Sequence, residues 1–113
     1  MQKMIHNVLG TPYEVVLGDR EDIQIKEEYS GECRVFSKQI KVCTEKEDCT
    51  EEELRVKTRE VVAHEFFHAY LNEAGVDLEE HVEESLATFY MKNWEKMSNS
   101  ILEVLDKSGF LDK

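Results

Sequence analysis

A chain of 113 residues with 41% apolar and 35% charged side chains has the composition of one small soluble domain, long enough for a single modest core and too short for two. Its net charge of −11 repels phosphate backbones, which argues against nucleic-acid binding. No apolar run reaches the length of a membrane span or of a signal-peptide core, so a cytoplasmic protein with no membrane partner is expected.

The first half of the chain reads as strands. Tyr13-Glu14-Val15-Val16-Leu17 follows the turn signal Gly10-Thr11-Pro12, and Ile23-Gln24-Ile25 alternates with period two. Arg34-Val35-Phe36 and Ile40-Lys41-Val42 flank the short polar Ser37-Lys38-Gln39. These segments predict a small, twisted antiparallel sheet with one wet face. Cys33, Cys43 and Cys49 are an odd set with no Cys-x-x-Cys spacing, which reads as reduced thiols rather than a zinc ribbon or a fully paired disulfide framework.

The second half reads as helices. Thr50 with Glu53 three residues on is a capping-box signature, and Glu51, Glu52 and Glu53 suit the positive end of a helix dipole. An apolar face through Leu54, Val61, Phe67 and Leu71 carries a helix from about Glu51 to about Ala74, with Gly75 as its natural stop. Asp77 with Glu80 repeats the capping pattern and predicts a second helix to about Met97; a last short helix, from about Ser100 to Lys107, stops at Gly109. The expected fold class is α+β in one domain over 1–113, with 1–49 mainly strands and 50–113 mainly helices.

Inside the first long helix stands His64-Glu65-Phe66-Phe67-His68, an HExxH sequence. Two histidines at i and i+4 lie on one helical face, about 6 Å apart along the axis at a rise of ~1.5 Å per residue, so both imidazoles can reach one metal ion. Glu65 then falls beside the metal rather than on it, where a carboxylate can take a proton from an attacking water, as in zinc hydrolases. The plainer alternative is a pair of hydrogen-bonded core histidines in the apolar run Phe66-Phe67-His68-Ala69-Tyr70-Leu71.

A catalytic zinc usually takes three protein ligands, so HExxH alone is incomplete. The metzincin continuation would need Gly at 71 and His at 74; Leu71 and Ala74 exclude it. If the two helices run antiparallel about a turn near Val76, His68 lies eight residues before the pivot and Glu84 eight after it. Glu83 is almost as well placed, and helical phase leans toward it, because Leu86, Ala87, Tyr90 and Trp94 surround it while Glu84 sits at the margin beside Met91. His81 is a third option, more simply read as a surface or capping histidine.

HEFFHAYLNEAGV followed by a helix bearing Glu-Glu-Ser-Leu-Ala-Thr-Phe-Tyr resembles the small phage-type zinc metallopeptidases related to the ImmA/IrrE group, of the gluzincin kind. Gly31-Glu32-Cys33-Arg34-Val35-Phe36 and Gln39-Ile40-Lys41-Val42 look like the strand pair before their active-site helix, so the resemblance covers roughly residues 13 to 95. In such proteins the third ligand is a glutamate followed by a variable residue, two apolar ones, an acidic one and two more apolar ones. That pattern falls on Glu84, with Ser85, Leu86-Ala87, Thr88 and Phe89-Tyr90 after it; Glu83 fits worse. Thr88 departs from the pattern, since an acidic residue there would orient a metal-bound histidine.

The resemblance implies a minimal zincin-like fold and a zinc-dependent endopeptidase acting on a peptide or protein, such as a repressor or regulator in a phage or mobile-element setting. His64, His68 and Glu84 would hold Zn2+, and Glu65 would be the general base. A backbone edge at Arg34 to Phe36 or Ile40 to Val42 would hold the substrate by strand addition. Tyr70 and Tyr90 are candidates for the oxyanion, more simply read as core aromatics. The alternative is a zinc-stabilised interaction module that cleaves nothing; a DNA-associated protease is disfavoured by the acidic balance. Ligand number separates the first two, since a structural site is closed by four protein ligands and a catalytic one keeps a position open.

Overall fold

The computed structural model describes residues 1–111; residues 112 and 113 of the predicted helical half lie outside them. Strands β1 (Gln2–Val8) and β2 (Thr11–Gly18) form a hairpin, joined by Leu9 and Gly10. Both turn residues have positive φ, +48° and +95°, the conformation of a two-residue turn whose twist matches the strands it joins. The Asn7 side chain closes this turn by accepting from the Gly10 amide at 2.6 Å. A single helical turn α1 (Arg20–Ile23) leads to β3 (Gly31–Arg34) and β4 (Gln39–Cys43), and two long helices follow, α2 (Glu51–Glu73) and α3 (Glu80–Ser108). The α+β class expected from the sequence is the one observed.

The four strands pair in the order β1-β2-β4-β3. The two hairpins are antiparallel, but β2 and β4 run parallel, so the sheet is mixed rather than antiparallel throughout. A parallel pair needs a crossover, and the chain from Asp19 to Lys38 supplies it. This explains the fate of Ile23-Gln24-Ile25, read from its alternation as a strand. Ile23 ends α1, Gln24 turns left-handed at φ +55°, and Ile23 and Ile25 pack with Val16 and Cys43 on the sheet's second face. That face is therefore partly covered instead of wet. There the buried Lys41 ammonium donates to the Gln24 carbonyl at 3.2 Å.

The main core lies on the other face, where Val8, Tyr13, Val15, Ile40 and Val42 meet Ala69, Val61, Val62 and Phe66 of α2. One end of α2 is tied to the sheet by Glu73. Its carboxylate accepts from the Thr11 hydroxyl, the Tyr13 hydroxyl and the Lys38 ammonium, each at 2.7 Å. These donors, led by Lys38, pull the Glu73 carboxyl down to about 2. A depressed carboxylate contributes stability above its unfolded value near 4.5 and loses it as pH falls toward 2. Thermal melts across pH should accordingly show Glu73→Gln several degrees less stable than the parent at pH 7, with the gap closing between about pH 4.5 and 2. A constant gap over that range would mean that the ionised carboxylate is not what holds the helix to the sheet.

The Thr50–Glu53 capping box forms in both directions, with Glu53 N donating to Thr50 Oγ1 at 3.1 Å and Thr50 N to Glu53 Oε1 at 2.8 Å. After Glu73 the chain turns through Gly75 at φ +74°, and the Val76 amide returns to the Leu71 carbonyl. The predicted cap at Asp77 is not used: Glu79 holds that position, without a side-chain cap bond. Nor is there a separate short C-terminal helix. Residues 80–108 contain no Gly or Pro, and Ser98-Asn99-Ser100 costs only tenths of a kcal/mol per residue, so α3 runs on to Gly109 at φ +81°. Antiparallel packing of α3 on α2 is fixed by Phe67 against Tyr90, with ring centroids 5.1 Å apart, and by the pairs Arg59–Glu95 and Lys92–Glu60. Among the described residues, no helix is long and apolar enough to cross a membrane.

Candidate metal centre

The helix hairpin brings α3's first turns over the middle of α2. His64 Nε2 lies 2.7 Å from Glu84 Oε1, His68 Nε2 lies 3.1 Å from Glu84 Oε2, and the two Nε2 atoms are 3.3 Å apart. The three side chains offer one ligand atom each, all within 4.8 Å of one another, and this group could hold a metal ion. On its far side, His68 Nδ1 meets Glu83 Oε2 at 2.5 Å. Both glutamates left open by the sequence are therefore engaged, on opposite nitrogens of the same ring.

The chemistry of the donor set fits a cation. With its proton on Nδ1 against Glu83, the His68 ring turns an Nε2 lone pair toward His64 and Glu84. A second imidazole nitrogen and a carboxylate lie close to the same point, so one ion there could take a donor atom from each of the three side chains. The donor spacings of 2.7 to 3.3 Å are close to the roughly 3.3 Å edge of a tetrahedron with ~2.0 Å bonds. His64 Nδ1 is buried and has no hydrogen-bond partner among the described residues. Thr88, which lines the outer side of the site with Glu84 and Ser85, stands where the resemblance implies an acidic partner for a histidine.

Glu65 lies under this group and is only 8% exposed. Burial foremost, with Glu84 and Glu32 adding and His68 opposing, pushes its carboxyl up to about 7. A carboxyl in this place can exchange a proton with a group in the cleft that it borders. Its room is made by Gly31 at the start of β3: a Cβ on that residue would lie 2.6 Å from Val61 Cγ1 and 2.9 Å from Glu65 Cγ and Oε2. In the sequence Gly31 shows only as part of a strand, because close approach of a helix leaves no periodic signal. Gly31→Ala should push Glu65 and Val61 aside, lowering stability by about 1–3 kcal/mol and disturbing whatever reaction uses Glu65. Denaturant unfolding measures the first effect, and unchanged stability would contradict the close approach.

A cleft of about 370 Å3 opens in front of His64, Glu65 and Glu84, walled by Glu28 to Gly31 on one side and by Lys57, Glu60, Val61 and Met91 on the other. Strand β3 borders it and is an edge of the sheet, whereas β4 lies between β2 and β3. Ile40 to Val42 is thus an interior strand with no free backbone edge, and Phe36 lies in the β3–β4 turn, almost fully exposed, outside the strand. The available edge is Gly31 to Arg34.

The remaining candidates lie elsewhere. The His81 side chain is exposed and sits 3.5 Å from Glu79, as a surface histidine. Tyr70 and Tyr90 line an apolar groove with Phe66 and Trp94, a groove that His64, Glu65 and Glu84 do not line. Cys33 faces the site from β3, but burial first, then Glu65 and Glu83, pushes its thiol up to about 12, so it is a neutral thiol there. Cys33, Cys43 and Cys49 are all free. Compared with models of known protein families, with curated proteins and with solved structures, the chain matches none of them.

Proposed function

We propose that this protein is a zinc-dependent endopeptidase of the cytoplasm. The observation that carries the reading is the convergence of His64, His68 and Glu84 beside a buried carboxylate, Glu65. Two imidazoles and one carboxylate are a donor set of catalytic zinc, and three protein donors leave a coordination position free, which favours catalysis over a closed structural site. Bound zinc would supply Lewis acidity toward the scissile carbonyl and lower the pKa of water.

The chain's own groups account for the rest. Glu65 takes a proton from the attacking water as its oxygen bonds to the carbonyl carbon. When the C–N bond breaks, Glu65 passes that proton to the departing amine nitrogen. Burial of Glu65 keeps bulk water from competing for the proton. The edge backbone of β3, Gly31 to Arg34, bordering the cleft, suits an extended peptide added as a strand. The resemblance supports a repressor or regulator in a phage or mobile-element setting as the substrate.

Cleavage of a peptide library before and after chelation tests the reading. A chelator should abolish cleavage, and zinc added back should restore it. Cleavage that survives complete removal of metal would overturn the assignment.

A further inference from the structure

We infer that Glu83 is a positioning residue that holds His68 in its metal-binding form, and that it is not itself a ligand. The inference rests on the metal reading above. Its basis is the division of labour between adjacent glutamates: Glu84 faces both Nε2 atoms, while Glu83 Oε2 sits 2.5 Å from Nδ1 of His68 on the far side of the ring. An imidazole that ligates through one nitrogen must carry its proton on the other, and a carboxylate accepting that N–H fixes the tautomer and the ring's direction and makes the ligating nitrogen more basic.

Exposure follows the same division. The Glu83 side chain is 27% exposed and tucked between the helices, whereas that of Glu84 is 57% exposed, at the mouth of the cleft. Helical phase points Glu83 inward, to the back of the ring, and leaves Glu84 at the margin, where a ligand stays open to substrate. The resemblance implies an acidic orienting residue four positions after the ligand glutamate, where this chain has Thr88. Glu83 provides an orienting carboxylate from the other direction, one residue before Glu84, and serves His68. His64 has no equivalent, since its buried Nδ1 is without a partner among the described residues. The centre is therefore supported on one side only, and Glu83 carries that support.

The test compares zinc affinity of the full chain and its Glu83→Gln, Glu83→Ala and Glu84→Gln variants, by competition with a chromophoric chelator. Visible spectra of the cobalt-loaded proteins and 15N spectra of the histidine rings are taken on the same samples. Loss of such a partner typically weakens metal binding 10–100-fold. Expected is a graded loss, small for Glu83→Gln, which keeps an acceptor oxygen, and about 10–100-fold for Glu83→Ala, with one metal per chain and an unchanged cobalt spectrum. Glu84→Gln should alter the cobalt spectrum, because it changes a ligand. The parent's His68 should carry its proton on Nδ1, and metal-free Glu83→Ala should lose that preference.

Parent-like affinity in Glu83→Ala would overturn the inference and leave the metal reading standing. A cobalt spectrum changed by Glu83→Gln and untouched by Glu84→Gln would make Glu83 the ligand, which also overturns it. A parent chain that binds neither zinc nor cobalt removes the metal reading itself, and the inference with it.

Discussion

Glu65→Gln is expected to lower peptide cleavage by about 10²–10⁴-fold while leaving the fold and the metal in place. Gln is nearly isosteric with Glu, and Glu65 is absent from the group of side chains able to share an ion, so the substitution removes the proton acceptor and no ligand. The loss should reach the upper end of that range if, as proposed, the same carboxyl takes the proton from water and returns it to the amine. Removing a buried group whose ionisation is costly also has a stability consequence with a definite sign. The folded Glu65 carboxyl titrates near 7 against a usual 4.5, so its ionisation opposes folding increasingly as pH rises from 4.5 to 7. Metal-free Glu65→Gln should therefore lack that pH-dependent loss and be at least as stable as the metal-free parent at pH 7. Equal cleavage by both proteins, on samples of matched metal content and melting temperature, would show that Glu65 is not the base.

His64→Ala and His68→Ala are expected to empty the site and reduce cleavage to background. Either change leaves one imidazole and a carboxylate, too few donors for tight zinc binding. Because a ligand that binds only the folded state stabilises it by mass action, the parent should melt higher with zinc than with chelator, and the histidine variants should show no such difference. Without metal, His64→Ala gives up the contact of its Nε2 with Glu84, a side chain exposed enough to be solvated instead, and loses no partner of Nδ1. His68→Ala leaves Glu83 without its partner as well, and should be the less stable of the two. Retention of full zinc by either variant would remove that histidine from the centre.

The sequence was most legible where a local rule and a tertiary need coincide. HExxH on a capped helix placed His64, Glu65 and His68 together because the helix alone sets their spacing, and Thr50, Glu53 and Gly75 marked its ends through bonds within a few residues. Strand β1 is not legible in the sequence because Gln2 to Asn7 is exposed on both faces; its order comes from the ladder with β2, which leaves no alternation. The parallel β2–β4 pair and the packing of Ile23 and Ile25 follow from the chain's path, to which periodicity is blind. The break expected near Met97 failed for want of a residue able to stop a helix. At the site, phase and motif pointed to different glutamates because each reported a different contact: Glu83 lies inward on Nδ1 of His68, and Glu84 lies beside both Nε2 atoms.

The most direct test of the centre is elemental mass spectrometry of the protein purified without chelators, run beside Glu84→Gln and a double His64→Ala, His68→Ala variant. One zinc per parent chain, weakened in Glu84→Gln and absent from the double variant, is the expected result. A parent chain free of zinc that also fails to take it up when supplied, or zinc retained in full by the double variant, would contradict the metal centre and the hydrolase built on it.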